Sequence, residues 1–200
     1  MVASQPQLII FAGANGAGKT TAAKVLLPKK DVLEFVNADE IAQGLSPLNP
    51  DGQRVRAGKL VIARMQELIA KKKNFAIETT LSGSTLAGLL LKARQQGYFI
   101  SMFYIYTGDV RINIRRIRQR VAEGGHNVPA EDVKRRYVRG LHNLFHLYYD
   151  LCDRIMIYNM SGEKRPELVV QRNSRLPAIV ASAFTARWKK MKKDAGVHED

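Results

Sequence analysis

Eight consecutive residues, Gly13, Ala14, Asn15, Gly16, Ala17, Gly18, Lys19 and Thr20, match G-x-x-x-x-G-K-[S/T] at every defined position. The chemistry open to such a run is the holding of phosphate. Glycines let backbone N–H groups wrap an anion that side chains would keep at a distance. Lys19 brings a cation to the β and γ phosphates, and the Thr20 hydroxyl can ligate magnesium. The residues before the run are apolar and those after it read as a helix, whose N-terminal dipole favours an anion. Gly13 through Thr20, with Thr21 behind them, are therefore expected to bind nucleotide phosphates, with Lys19 also catalytic and Thr20 at the metal. No Asn-Lys-x-Asp guanine-reading sequence occurs in the chain, so ATP is the expected donor.

Transfer of a phosphoryl group also requires a group that orients an acceptor hydroxyl and takes its proton. Asp39, in Phe35-Val36-Asn37-Ala38-Asp39-Glu40, follows a strand-like run and would stand where ligands gather in an open parallel sheet, beyond the strand's carboxyl end. The alternative is that Asp39 only caps a helix beginning at Glu40. Phe75-Ala76-Ile77-Glu78-Thr79-Thr80-Leu81-Ser82 ends the same way. Its carboxylate and hydroxyls suit substrate hydroxyls or a magnesium-bound water, so Glu78, Thr80 and Ser82 are expected to bind substrate.

Nine basic residues lie between positions 111 and 139, among them Arg116, Arg120, Arg135 and Arg136. Guanidinium groups brought in by a moving segment can stabilise the charge that spreads over a transferred phosphate. A helix, the Gly124-Gly125 linker and a second helix, together about residues 109–141, suit such a lid. Arg120 and Arg136 are the preferred catalytic pair, with Arg116 and Arg135 behind them. His126 in the linker reads as a turn residue. Asn159, at the head of Asn159-Met160-Ser161-Gly162, would meet the nucleotide base or else belong to a simple turn.

These residues need a scaffold. Runs rich in apolar, β-branched and aromatic residues at 7–13, 33–37, 74–79, 99–107 and 154–158 predict five buried strands. Helical patterns at 18–27, 52–72, 84–96, 109–123 and 129–150 alternate with them, and 176–193 predicts a terminal helix with frayed residues after it. In the 109–123 helix, Val110, Ile114, Ile117 and Val121 form the expected buried stripe, with Asp109 as its cap. Strand–helix alternation of this kind makes an α/β fold with a central parallel five-stranded sheet, and residues 167–172 are a candidate sixth strand. One domain spanning residues 1–200 is expected.

Thirty-two Lys and Arg against eighteen Asp and Glu give a net charge of +14, which favours anionic partners: nucleotides, sugar phosphates or nucleic acid. The single Cys152 cannot form an internal disulfide, and no stretch approaches the roughly 20 apolar residues needed to span a bilayer. A cytoplasmic setting without membrane association is expected.

Taken together, the phosphate loop, Phe35-Val36-Asn37-Ala38-Asp39, Ile77-Glu78-Thr79-Thr80-Leu81 and the arginine-rich lid resemble the zeta-toxin family of P-loop kinases over roughly residues 7–160. The resemblance implies a P-loop NTPase fold and an ATP- and Mg2+-dependent transfer to a hydroxyl of a nucleotide-linked acceptor such as a UDP-N-acetyl sugar. It implies phosphate binding by Lys19, activation of the hydroxyl by Asp39, acceptor contacts from Glu78 and Thr80, and charge stabilisation by lid arginines. An antitoxin protein is then a candidate partner. Two other readings stand beside this one. A polynucleotide or nucleoside kinase would use the basic surface for nucleic acid, and a nucleotide-dependent switch protein would phosphorylate no acceptor.

Overall fold

The run Gln7–Ala12 (QLIIFA) forms strand β1, buried on both faces as a central parallel strand must be. In the computed structural model, which describes residues 5–28, 32, 34–162, 167–173, 179–180 and 185–197, β1 lies between two parallel neighbours. On one side is β3 (Phe75–Thr79), flanked in turn by the short β2 (Glu34–Val36). On the other is β4 (Phe99–Tyr106), followed by β5 (Arg154–Asn159). Two further strands, β6 (Glu167–Asn173) and β7 (Ile179–Val180), add on antiparallel, giving seven strands in the order β2-β3-β1-β4-β5-β6-β7. The chain thus departs from β1 toward one edge and returns beyond it to β4. Beyond the end of β1 lies the crevice where open α/β sheets bind ligands.

The five expected parallel strands and the sixth candidate are present, and Leu33, the expected first residue of β2, lies outside the described residues. The seventh strand is a correction. Residues 179–180, expected inside the terminal helix, instead pair with β6, and the helix α7 runs only Thr185–Asp194. The short apolar run there fits either period, and the open backbone edge of β6 decides for pairing. The remaining residues expected in that helix before Thr185, and the last three residues expected to fray, lie outside the described residues.

Helix α1 (Lys19–Leu26) covers one face of the sheet, and α3 (Arg54–Ala70), α4 (Thr85–Gln95) and α6 (Ala130–Asn143) the other. Residues alternate between the faces: Leu8 and Ile10 pack with Met65, Leu68, Leu90 and Leu141, whereas Ile9 and Phe11 pack with Ala23, Leu27 and Phe103. Helix α2 (Ala38–Leu45), raised from sequence only in the alternative that Asp39 caps a helix beginning at Glu40, follows β2. Its eight residues are too few for a clear apolar repeat. Asn37 caps it, accepting the Asp39 N–H at 2.9 Å, so Asp39 stands inside the first turn and is not the cap. A 3-10 turn at Asp51–Gln53 precedes α3.

Helix α5 (Val110–Ala122) is capped by Asp109 as expected, through the Arg111 N–H at 2.8 Å. Its buried face differs from the expected stripe. Val121 is exposed, and Asn113 is fully buried. Ile117, Val128 and Val133 form a small core of their own that joins α5, the linker and α6. The expected helix at 129–150 continues past α6 as a π turn, Leu144–Tyr148, and a 3-10 turn, Tyr149–Leu151, which leaves Leu144 and Tyr148 buried against the main core. Among the described residues no helix is long and apolar enough to cross a membrane.

Candidate active site

The glycine-rich loop leaves β1 at Gly13 and enters α1 at Lys19. Three of its glycines, 13, 16 and 18, have positive φ (137°, 75° and 102°), a region closed to most side chains. Packing adds a second requirement. A Cβ at Gly13 would lie 2.4 Å from the Ile105 carbonyl oxygen, and one at Gly16 would lie 2.6 Å from that of Asn113. The loop is therefore pressed between β4 and α5. Asn113 secures the contact, donating from Nδ2 to the Asn15 carbonyl at 2.8 Å while its Oδ1 accepts from the Thr107 hydroxyl. A polar residue at helical spacing between Val110 and Ile117 was the available signal, because buried faces rarely carry asparagine without a partner.

Parallel pairing of β1 with β3 sets Phe11 beside Glu78 and Ala12 beside Thr79, so the end of β3 delivers its carboxylate to the loop. Glu78 Oε2 accepts from the Thr20 hydroxyl at 2.7 Å and from Asn37 Nδ2 at 3.0 Å, and Oε1 is 3.4 Å from Lys19 Nζ. Lys19 also donates to the Ala14 carbonyl at 3.1 Å, and both charged side chains are under 10% exposed. A buried cation without a countercharge is costly, and here Glu78 and a loop carbonyl supply the compensation that phosphate would otherwise give. Glu78 thus belongs to the phosphate loop more closely than to a separate acceptor wall.

Asp39 is exposed at the start of α2, and its carboxylate makes no hydrogen bond or ion pair among the described residues. It borders two adjoining cavities. The larger, about 700 Å³, runs from the phosphate loop past Thr20 and Thr21 to residues 47–54 and the α5–α6 linker. The smaller, about 380 Å³, extends behind Glu78 between α3, α4 and α6. Asn15, Lys19, Asn37, Asp39, Arg54 and Glu78 line both.

Thr80 and Ser82 line the smaller cavity and share a hydrogen bond at 2.9 Å. Their loop is tightly held. Thr79 Oγ1 accepts the Leu81 N–H at 3.0 Å, and buried Leu81 takes φ of 54°, a strained value for leucine. Asn143 Nδ2 donates to the Leu81 carbonyl at 2.7 Å, the Tyr148 hydroxyl to that of Gly83, and Gly140 lets α6 lie directly on the Thr80 carbonyl.

The arginines separate clearly. Arg136 reaches the phosphate loop, donating to Asn15 Oδ1 at 3.2 Å, and lies 3.6 Å from Asp132. Arg120 lines the larger cavity and donates to the His126 carbonyl at 2.6 Å. Arg116 lines it too, holding the carbonyls of Met160 at 2.8 Å and Gly162 at 3.3 Å. Arg135 pairs with Asp132 at 2.8 Å and lines neither cavity. Arg54, which sequence reasoning passed over, lines both. Nothing in its local pattern sets it apart from its neighbour Arg56. Asn159 is not brought to the cleft: it is buried, with Nδ2 on Glu167 at 3.0 Å and Oδ1 accepting the Ser161 N–H at 3.2 Å.

A glycine loop at the switch point of a parallel sheet, with a buried lysine and a threonine tied to a carboxylate on the next strand, defines a kinase-like P-loop NTPase fold. The chain belongs to the AAA domain family AAA_33, which matches residues 8–139. An uncharacterized protein of Haemophilus influenzae is 33% identical over 134 residues, 66% of this chain and 94% of that protein. In fold, the chain is similar to a structure from the PezAT chromosomal toxin–antitoxin system of Streptococcus pneumoniae, with a TM-score of 0.65 and 16% identity over 98% of this chain and 88% of the other. It is also similar to the AvrRxo1-ORF1:AvrRxo1-ORF2 complex with sulphate ions, with a TM-score of 0.78 and 15% identity over 99% and 67%. The same complex with ATP gives a TM-score of 0.75, again at 15% identity and over 99% and 67%.

Proposed function

We propose that this chain is an ATP-dependent kinase of zeta-toxin type that passes the γ-phosphate to a hydroxyl of a nucleotide-linked acceptor. The observation that carries the reading is the pair of carboxylates at the loop. Glu78 is engaged by Lys19 and Thr20, whereas the Asp39 carboxylate has no partner among the described residues and stands where the two cavities meet.

In this reading the triphosphate takes the place of Glu78 and the Ala14 carbonyl as partner of Lys19. The Thr20 hydroxyl and Glu78 carboxylate are hard oxygen donors suited to magnesium or its bound water, and magnesium arriving with ATP supplies charge neutralisation at the β and γ phosphates. The acceptor hydroxyl oxygen bonds to the γ-phosphorus as the bond to the ADP oxygen breaks, and its proton passes to Asp39. Arg136, already at Asn15, and Arg120 stabilise the charge in transfer. Thr80 and Ser82 contact the acceptor. Arg116 and the Met160–Gly162 carbonyls mark the side for the nucleotide base. The α5–linker–α6 segment, with its own small core, serves as the lid, about residues 109–141, of a single kinase domain. An antitoxin-like partner belongs to the same proposal, since the fold's likenesses include a toxin–antitoxin system.

The test is incubation with γ-labelled ATP and a panel of nucleotide sugars, nucleosides, RNA and DNA ends, with the labelled product identified by mass. A labelled nucleotide-linked product is expected, and Asp39→Asn should lower its rate by about 10²- to 10⁴-fold while ATP-analogue affinity stays within about threefold. A labelled polynucleotide end would support the polynucleotide kinase instead. ATP hydrolysis with no labelled acceptor would support the switch protein, and full transfer by Asp39→Asn would refute the assigned base.

A further inference from the structure

The two cavities are lined by the cations Lys19, Arg54, Arg116, Arg120 and Arg136, and Arg54 comes from an element remote from the phosphate loop. Arg54 opens α3 and borders both cavities. Its Nη2 lies 2.8 Å from Asp51 Oδ1 and its Nη1 3.8 Å from Asp132 Oδ2. The same Asp51 oxygen is 3.3 Å from His126 Nε2, on the α5–α6 linker. A carboxylate of the chain itself is thus held between a guanidinium and an imidazole at the wall of the larger cavity.

That carboxylate is weakly committed. Asp51 is 54% exposed on a three-residue 3-10 turn, and an exposed ion pair of this kind is weak because water screens it and ordering the side chains costs entropy. A ligand anion with better geometry would displace it, since a guanidinium fork matches anionic oxygen groups closely. On the other side of Arg54 the smaller cavity has an apolar wall of Val61, Ile62, Met65, Leu86 and Leu89, with the Thr80 and Ser82 hydroxyls beside it. An apolar wall with few convergent polar groups is the usual make-up of a small-molecule site.

We infer that Arg54 is the binding residue for an anionic oxygen group of the acceptor, such as the phosphate of a nucleotide-linked compound, and that this group displaces Asp51. The apolar wall takes the uncharged body of the acceptor, and Asp39 takes its hydroxyl. The identification of the ligand as the acceptor rests on the kinase reading above. Asp51 then acts as a stand-in that keeps Arg54 paired until the acceptor arrives, and His126 ties the linker to the same exchange.

The experiment is calorimetric titration of the full chain, saturated with a non-hydrolysable ATP analogue, with uridine, UMP and UDP. Wild type should bind UDP tighter than uridine by about tenfold, the contribution of one charge-assisted hydrogen bond. Arg54→Gln should bring that ratio within about threefold of unity, and Arg54→Lys should restore part of it. Asp51→Asn should raise the ratio by roughly threefold, because it removes the competing carboxylate. Lys71→Gln, a charge lost at the far end of α3 and outside both cavities, should change it by less than about twofold. Opposite signs from the two members of one ion pair distinguish displacement from simple loss of a structural contact. The inference is overturned if UDP does not bind, if Arg54→Gln leaves the ratio intact, or if Lys71→Gln lowers it equally. Titration reads binding without turnover, so intact discrimination in a protein that transfers no phosphate would refute the kinase and leave the anion site standing. Transfer without discrimination would do the reverse.

Discussion

Replacing Gly140 by alanine sets two effects of similar size against each other. In a helix interior alanine is favoured over glycine by about 1 kcal/mol, so on propensity alone the variant should be more stable. At Gly140, however, the new Cβ would stand 2.3 Å from the Thr80 carbonyl oxygen, against an ordinary contact of 3.4 Å or more. The obstacle is backbone, so α6 or the 80–83 loop must retreat by about 1 Å. Overpacking typically costs about 1–3 kcal/mol, and a 2.3 Å contact with backbone belongs at the top of that range, so set against the propensity gain the net loss is about 2 kcal/mol. For a chain of this length that lowers Tm by roughly 4–8 °C. The same retreat moves Arg136, one turn earlier on α6, away from Thr80, and a displacement near 1 Å at positioning groups can cost about 10²-fold in rate. Gly88→Ala is the matched control. Gly88 lies exposed in α4, and a Cβ added there would meet nothing within 4 Å, so the variant should gain about 0.5–1 kcal/mol. Thermal unfolding of both variants, with phosphoryl transfer measured in parallel, is the assay. A Gly140→Ala protein as stable as Gly88→Ala would refute the close seating of α6 on the Thr80 loop.

Glu78→Gln keeps the shape of the carboxylate but leaves Lys19 buried without its countercharge; the nucleotide-free variant should lose about 3 kcal/mol, the low end for a broken buried pair, because the Ala14 carbonyl remains. Adding ATP without magnesium should narrow the Tm gap to wild type, since phosphate replaces the missing charge, and an unchanged gap would count against Lys19 as the phosphate ligand. Stability should also fall in alkali. Burial pushes the thiol of Cys152 up to about 12, and the phenols of Tyr98 and Tyr148 to about 12, with Tyr104 and Tyr137 raised as well. The fold therefore retains protons that the unfolded chain releases at its ordinary values of 9.0 and 10.0. Stability from these groups is complete below about pH 9 and is lost as pH rises toward the folded values. Urea midpoints should be flat from about pH 7 to 8.5 and fall steeply by about pH 10.5; a flat profile throughout would contradict their burial.

How far the site could be read from sequence depended on how local each part of it is. Asp109 as a cap and the alternation of strands and helices are decided within a few residues of each position, and both appear where the pattern places them. Strand β7 was not legible and α2 entered only as an alternative helix beginning at Glu40, because two and eight residues carry too little periodicity to decide. Arg54 looked like any surface arginine, and Asn159 looked available until β6 supplied Glu167 as its partner.

The phosphate loop is legible from its own eight residues. Its chemistry lies in consecutive backbone N–H groups, one lysine and one threonine, so a strand, a turn and a helix suffice to display it. What surrounds the loop is set by long-range packing. The β1–β3 register brings Glu78 to Thr20 across 58 positions of chain, and the packing of α6 brings Arg136 to Asn15 across 121. Such contacts are set by the closing of the sheet and the seating of helices on it, and no short stretch of sequence contains both partners.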